Sequence, residues 1–156
     1  MPPLVVAPLR IEAWAAGVVR LGTVVPDGPF VVTGTCGAVD PSLRAGDVVV
    51  ATEVRHGTQS RPADASVADG LRAHGLEVRT GPIVTVDSVL GPREREALRA
   101  SGALAVDMES YWLEEAAVVR VVVDEAGRRL LHPRTLVAGV RALRMLRRVG
   151  RAISSL

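Results

Sequence analysis

The residues best equipped for chemistry stand where apolar runs stop. In "GALAVDMESYW" a strand-like run ends in Asp107, Met108, Glu109 and Ser110, two carboxylates flanking a thioether. An ionised carboxylate only accepts hydrogen bonds and can take two neighbouring hydroxyl protons at once, while a thioether offers a polarizable apolar face. A further acid, Asp124, follows "VVRVVV", a run so apolar that its strand must be buried. Its carboxyl then falls at the carboxyl edge of the sheet, where α/β proteins bind ligands. In "TGTCGAVDP", Gly34 and Gly37 allow a backbone to approach an anion or a sugar, with the Thr33 and Thr35 hydroxyls as donors. Plainer readings stand beside these: an acid at a helix start for Glu109, a turn-initiating Asp-Glu pair for Asp124, and a tight turn for the glycines.

The elements that would position these groups follow from hydrophobic pattern. Val-rich runs predict strands at Leu4 to Ala7, Phe30 to Thr33, Asp47 to Glu53, Leu76 to Arg79, Ile83 to Val86, Leu104 to Asp107 and Val118 to Val123. Helices fit Asp64 to His74, Arg93 to Ala100, Met108 to Ala117 and Leu136 to Ile153, with Gly75 and Gly102 as stops. That alternation predicts an α/β fold, a mixed and mainly parallel sheet flanked by helices in one domain over residues 1–156. Two joints are shorter than such connections need, one near 22–26 and one near 116–119, as if segments were missing. "HGTQSRPADAS" (His56 to Ser66) reads as a polar, mobile loop.

Composition narrows the function classes. The chain is 48% apolar and 23% charged, which suits a globular core rather than disorder. All 19 basic residues are Arg, yet the net charge is only +2, and four aromatics (Trp14, Phe30, Tyr111 and Trp112) make no stacking platform, so nucleic acid is not expected as a partner. The single Cys36, the scattered His56, His74 and His132, and the lack of ligand spacing argue against a metal site or a Cys-His nucleophile. No run reaches the roughly 18 residues of a membrane span, and no signal peptide is visible, so the cytoplasm is the expected location.

Read together, "TGTCGAVDPSLRAGDVVVATEV" (Thr33 to Val54), "AVDMES" (Ala105 to Ser110) and "VVRVVVDE" (Val118 to Glu125) resemble the purine nucleoside phosphorylase and nucleosidase superfamily. With "PLRIEA" as a weaker fourth match, the resemblance covers most of residues 3–125. It looks like the methylthioadenosine nucleosidase type, and within it the hopanoid-associated nucleosidase branch. The resemblance implies that Met108 and Glu109 hold ribose, that Asp124 protonates or hydrogen-bonds the purine N7, and that Glu12 orients the attacking water. Thr33, Gly34, Thr35 and Gly37 would form the nucleophile or anion loop, and Asp87, Ser88, Val89 and Leu90 would close the base pocket with Asp107 in support. Family phosphorylases of the hexameric bacterial type carry an Arg two residues before the first loop glycine, and here that position is Val32. Isopropyl cannot replace a planar cationic fork, which favours water over phosphate.

The implied activity is therefore hydrolysis of the N-glycosidic bond of an adenine-type nucleoside, with or without a 5′ modification or lipid, and without metal or organic cofactor. Phosphorolysis, with phosphate held by Arg20, Arg55 or a neighbouring subunit, is one rival, and a paralogue that binds nucleosides without turnover is another. Family members assemble as dimers or larger rings, so a homo-oligomer is expected. After Glu125 the chain has no acidic residue but eight arginines, and over 134–156 these face away from an apolar stripe of Leu136, Val140, Leu143, Leu146, Val149 and Ile153. The stripe can pack on the sheet, or the helix can touch an anionic membrane surface.

Overall fold

The computed structural model describes residues 3–8, 10–20, 28–114, 116–126 and 133–156, with backbone only at 11, 19–20 and 133–136. The expected short joint at 22–26 lies outside these, as do Arg128, Arg129 and His132. In chain order the elements are β1 (Leu4–Ala7), α1 (Arg10–Ala16), β2 (Val19–Arg20), β3 (Phe30–Ala38), β4 (Val48–His56), β5 (Gln59–Pro62), α2 (Val67–Ala73), β6 (Val78–Thr85), α3 (Pro92–Ala100), β7 (Ala105–Asp107), a 3-10 turn (Ser110–Trp112), β8 (Ala116–Asp124) and α4 (Pro133–Ile153).

The strands form one mixed sheet in the order β2-β1-β3-β7-β6-β4-β5, with β8 paired to both β3 and β4. That double pairing closes β3, β7, β6, β4 and β8 into a ring. β8 runs parallel to β3 from Phe30↔Ala116 to Gly37↔Asp124, and antiparallel to β4 from Val48↔Val121 to Val50↔Val119. Five of the eight pairings are parallel, β1–β2, β1–β3, β3–β8, β4–β6 and β6–β7, as the sequence predicts.

Alternation along the strands divides the interior into two cores. Val31, Val48, Val50, Ala117, Val119 and Val121 face the helices, where they meet Leu71 of α2 and Ala142, Leu146, Val149 and Ile153 of α4. Phe30, Val32, Val49, Ala51, Val118 and Val122 face into the ring with Ile83 and Ala105. Each buried aliphatic side chain stabilises the fold by roughly 1.5–3 kcal/mol relative to exposure. Of the expected stripe of α4, Leu146, Val149 and Ile153 enter the core and Leu143 packs against it, whereas Val140 is exposed and the side chain of Leu136 lies outside the described residues; Arg144, Arg147, Arg148 and Arg151 face outward, with Arg147 6.0 Å from the exposed Trp14 ring. At the crossing of α1 and α4, a Cβ on Gly150 would collide with the carbonyl of Ala16, so only glycine allows this approach.

Four expectations are corrected. The helix expected over Met108 to Ala117 is a single 3-10 turn followed directly by β8. Its would-be helical groups are engaged elsewhere: Asp107 accepts from the amides of Glu109 and Ser110, and the Arg61 guanidinium donates to the carbonyls of Ser110, Leu113 and Glu114. The abrupt joint at 116–119 disappears with that helix. The polar loop at 56–66 contains β5, antiparallel to β4 and the source of Arg61. The runs at 76–79 and 83–86 form one strand, β6, which carries Pro82 where the pairing with β4 shifts register. Finally, "RIEAWAA" forms α1, which supplies the crossover between β1 and its parallel partner β2.

Candidate functional site

At the carboxyl edge of the ring lies a pocket of about 220 Å³. Its walls come from the ends of β3 (Thr35, Cys36, Gly37), β7 (Val106, Asp107) and β8 (Val123, Asp124), from Met108 and Glu109, from α1 through Glu12, from the loop after β6, and from α3 through Arg95. Three segments far apart in sequence thus present four acids, Glu12, Asp107, Glu109 and Asp124, to one cavity.

The back of the pocket is organised around Arg120. In β8 it occupies an inward position between Val118 and Val122, and it is fully buried. Its Nε donates to Asp107 Oδ2 at 2.8 Å, and its Nη2 donates to Ser110 Oγ at 2.9 Å and to Glu109 Oε2 at 3.4 Å. Burial alone would drain charge from the guanidinium, but the carboxylates of Asp107, Glu109 and Glu12 outweigh it and hold its pKa above the ordinary arginine value. Asp107 also accepts from Thr85 Oγ1 at 2.8 Å and from the hydroxyl of Ser110. Its hold on the amides of Glu109 and Ser110 bends the chain so that Glu109 turns toward the pocket. Glu109 itself is half-buried; desolvation raises its pKa, and the nearby Arg120 only partly offsets this.

Glu12 reaches the same place from α1. It is 3% exposed, and its Oε1 accepts from both the amide and the hydroxyl of Thr35 at 2.7 Å. A Cβ on Gly34 would strike the Arg120 guanidinium and come within 2.9 Å of Glu12 Oε2, so the missing side chain makes room for both. Arg120 Nη1 is buried without a hydrogen-bond partner beside this contact.

At the mouth, Asp124 pairs with Arg95, whose other terminal nitrogen donates to the Ala38 carbonyl at 3.1 Å. Each side chain of the pair is 13% exposed. Cys36 is buried, with its thiol pushed far up by desolvation, which leaves it no nucleophilic role.

The phosphorylase superfamily model matches residues 28–132. The chain belongs to this superfamily. Its fold is that of the nucleosidases and nucleoside phosphorylases: a 5′-methylthioadenosine/S-adenosylhomocysteine nucleosidase from Campylobacter jejuni superposes with TM-score 0.77 at 13% identity, covering 97% of this chain and 98% of that one. The corresponding enzyme from S. pneumoniae, solved with a transition-state inhibitor, gives TM-score 0.71 at 17% identity over 97% and 96%. A uridine phosphorylase from Vibrio fischeri gives 0.66 at 13% identity, covering 81% of this chain and 61% of that one. No curated protein matches the sequence.

Of the residues that the superfamily resemblance singles out, Glu12, Thr35, Gly37, Val89, Leu90, Asp107, Met108, Glu109 and Asp124 all line the pocket. Three do not. Thr33 is fully buried with its hydroxyl unpartnered, Gly34 lies behind the pocket under Arg120, and the side chain of Asp87 is 80% exposed and turned toward His56. Asp107 lines the cavity, but its side chain is wholly buried in the pair with Arg120, so it supports the site. Sequence reasoning missed Arg120 and Arg95. The first had a signal, a lone Arg at an inward position of an all-Val strand; the second had none, since "PREREALRA" reads as a solvated helix. Among the described residues no cluster could hold a metal ion, and no helix is long and apolar enough to cross a membrane.

Proposed function

We propose that this superfamily member is a nucleosidase that hydrolyses the N-glycosidic bond of a purine nucleoside. The observation that carries the reading is the charge of the pocket: among the described residues, Glu12, Glu109 and Asp124 line it against Arg95 alone, which is itself paired. A phosphate dianion entering there would face three carboxylates, whereas water and a ribose diol are neutral donors that carboxylates welcome. Val32, where a phosphate-gripping arginine would be needed, is fully buried in the inner core. Arg120 is enclosed by Asp107, Glu109 and Glu12, and is no freer to hold phosphate.

In this reading Glu109 accepts the 2′ and 3′ hydroxyl protons, and Met108 lies against the sugar. Glu12, fixed by Thr35, polarises a water toward C1′. The C1′–N9 bond breaks as the water oxygen bonds C1′; the bonding pair stays with the base, which leaves toward Asp124 and Arg95 and ends with one of the water's two protons, the other remaining on the new sugar hydroxyl. Fixed charges around a ribosyl cation-like centre would stabilise the transition state. A 5′ substituent, lipid-linked or not, would exit past Met108 and Val89, which are 47% and 67% exposed. The resemblance implies an adenine-type base at the Asp124 end of the pocket.

Incubation with purine nucleosides in phosphate-free buffer, followed by chromatography for free base and a reducing-sugar assay, tests the reading. Ribose release without phosphate is expected. Strict phosphate dependence, with ribose 1-phosphate as product, would establish the phosphorylase instead, and binding without turnover would identify a degenerate paralogue.

A further inference from the structure

We propose that Arg61, on the β4–β5 hairpin, is a positioning residue: by holding the chain just after Glu109 it aims that carboxylate at the sugar and sets the preference for a riboside over a 2′-deoxyriboside. This rests on Glu109 as the sugar-binding acid of the reading above.

The segment that carries Glu109 has little regular structure of its own. An α-helix would meet its carbonyls with amides four residues on, but here the chain leaves for β8 at Ala116 after the single 3-10 turn Ser110–Trp112. Arg61 takes over from about fifty residues earlier. Its Nη2 donates to the carbonyls of Ser110 at 2.8 Å and Leu113 at 2.7 Å, its Nη1 to that of Glu114 at 3.1 Å, and its Nε to that of Tyr111 at 3.4 Å. Four of the five N–H groups of one planar fork thus lock one turn, which a flexible ammonium could not do.

The rest of the hairpin face agrees. Gln59, paired with His56, and Arg61, two residues on, share one face of β5. The His56 ring packs 4.8 Å from that of Trp112 and 5.3 Å from that of Tyr111, and the Tyr111 hydroxyl donates to Gln59 at 2.9 Å. On its other side the segment is held by Asp107, through the amides of Glu109 and Ser110. Glu109 therefore stands between two clamps, one on amides and one on carbonyls, and its backbone cannot turn without breaking one of them. Arg61 does not line the pocket, so replacing it removes no contact to a ligand there. A carboxylate that takes the 2′ and 3′ hydroxyl protons together must hold both oxygens in place. A 2′-deoxyriboside offers only one of those protons, so discrimination between the two sugars reports how well Glu109 is aimed, whatever the base.

The probes are a C-nucleoside analogue of adenosine, whose C1′–C bond resists hydrolysis, and its 2′-deoxy form. Calorimetry would measure both on the wild type, Arg61→Met, Arg61→Lys, Glu109→Gln and the double variant Arg61→Met/Glu109→Gln. The wild type should bind the riboside about ten- to a hundredfold more tightly. Arg61→Met should lower that ratio to the level of Glu109→Gln, Arg61→Lys should fall between, and the double variant should match Glu109→Gln alone. A merely supportive Arg61 would weaken both probes in parallel and leave the ratio unchanged, which overturns the proposal, as do additive losses in the double variant. Should Arg61→Met not fold, a wild-type ratio in Arg61→Lys overturns it alone. Equal binding of the two probes by the wild type, or binding of neither, removes Glu109 from the sugar and this proposal with it. Sugar preference without release of base from adenosine would refute the hydrolase reading while leaving this one intact.

Discussion

The pocket holds two Asp–Arg pairs that behave as opposites. Asp107–Arg120 lies behind the cavity with both side chains fully buried, joined by Ser110, Thr85 and Glu109. Asp124–Arg95 lies at the mouth, each side chain 13% exposed, with one partner on a helix that buries none of its residues. The first pair cannot lose a member without stranding a charge in a core of valines. The second lines the pocket, where a ligand can reach it. Identical chemistry is thus structural in one place and available in the other, and burial decides which.

That contrast is open to measurement. Arg120→Met should cost about 3–5 kcal/mol by chemical denaturation, because Asp107 is left charged and unpaired. Pairing it with Asp107→Asn should recover part of the stability but none of the activity; full additivity of the two losses would show that they do not act as a unit. Gly34→Ala pushes a methyl into the Arg120 guanidinium and should cost about 1–3 kcal/mol. Arg95→Ala at the mouth should cost no more than roughly 1–2 kcal/mol. A loss there equal to that of Arg120→Met would erase the distinction.

The smallest effect concerns pH. Glu109 has a folded pKa above its ordinary 4.5, with desolvation as the main cause. Its carboxylate is therefore harder to form in the fold than in the unfolded chain. Below about 4.5 both states hold the proton and the penalty is absent; it grows as pH rises through the higher folded value. Glu109→Gln should then melt slightly above the wild type at pH 7 and level with it at pH 4, while losing ribose binding. Equal melting at both values would mean that the desolvation penalty is fully offset by Arg120.

Much of this was legible in the chain. Leu4–Ala7 is a strand to the residue, and the runs expected over 30–33, 47–53 and 118–123 fall in the longer strands Phe30–Ala38, Val48–His56 and Ala116–Asp124. Local pattern failed where partners come from afar. The segment 108–117 has helix-forming residues, but Arg61, about fifty positions earlier, takes its carbonyls and Asp107 takes its first amides. Glu12 reads from sequence as an exposed helix-start acid or a catalytic one. Only its bonds to Thr35, across 23 residues, place it in the cavity. Arg95 meets Asp124 across 29 residues, and no periodicity encodes that meeting.

The absent side chain of Gly150 reaches further than its own contact. It lets α4 press against the Ala16 carbonyl, one helical turn beyond Glu12, so α4 sets the depth at which that acid enters the cavity. A bulkier residue at 150 would lift α1 outward and withdraw Glu12 from Thr35, silencing the pocket from the opposite side of the sheet.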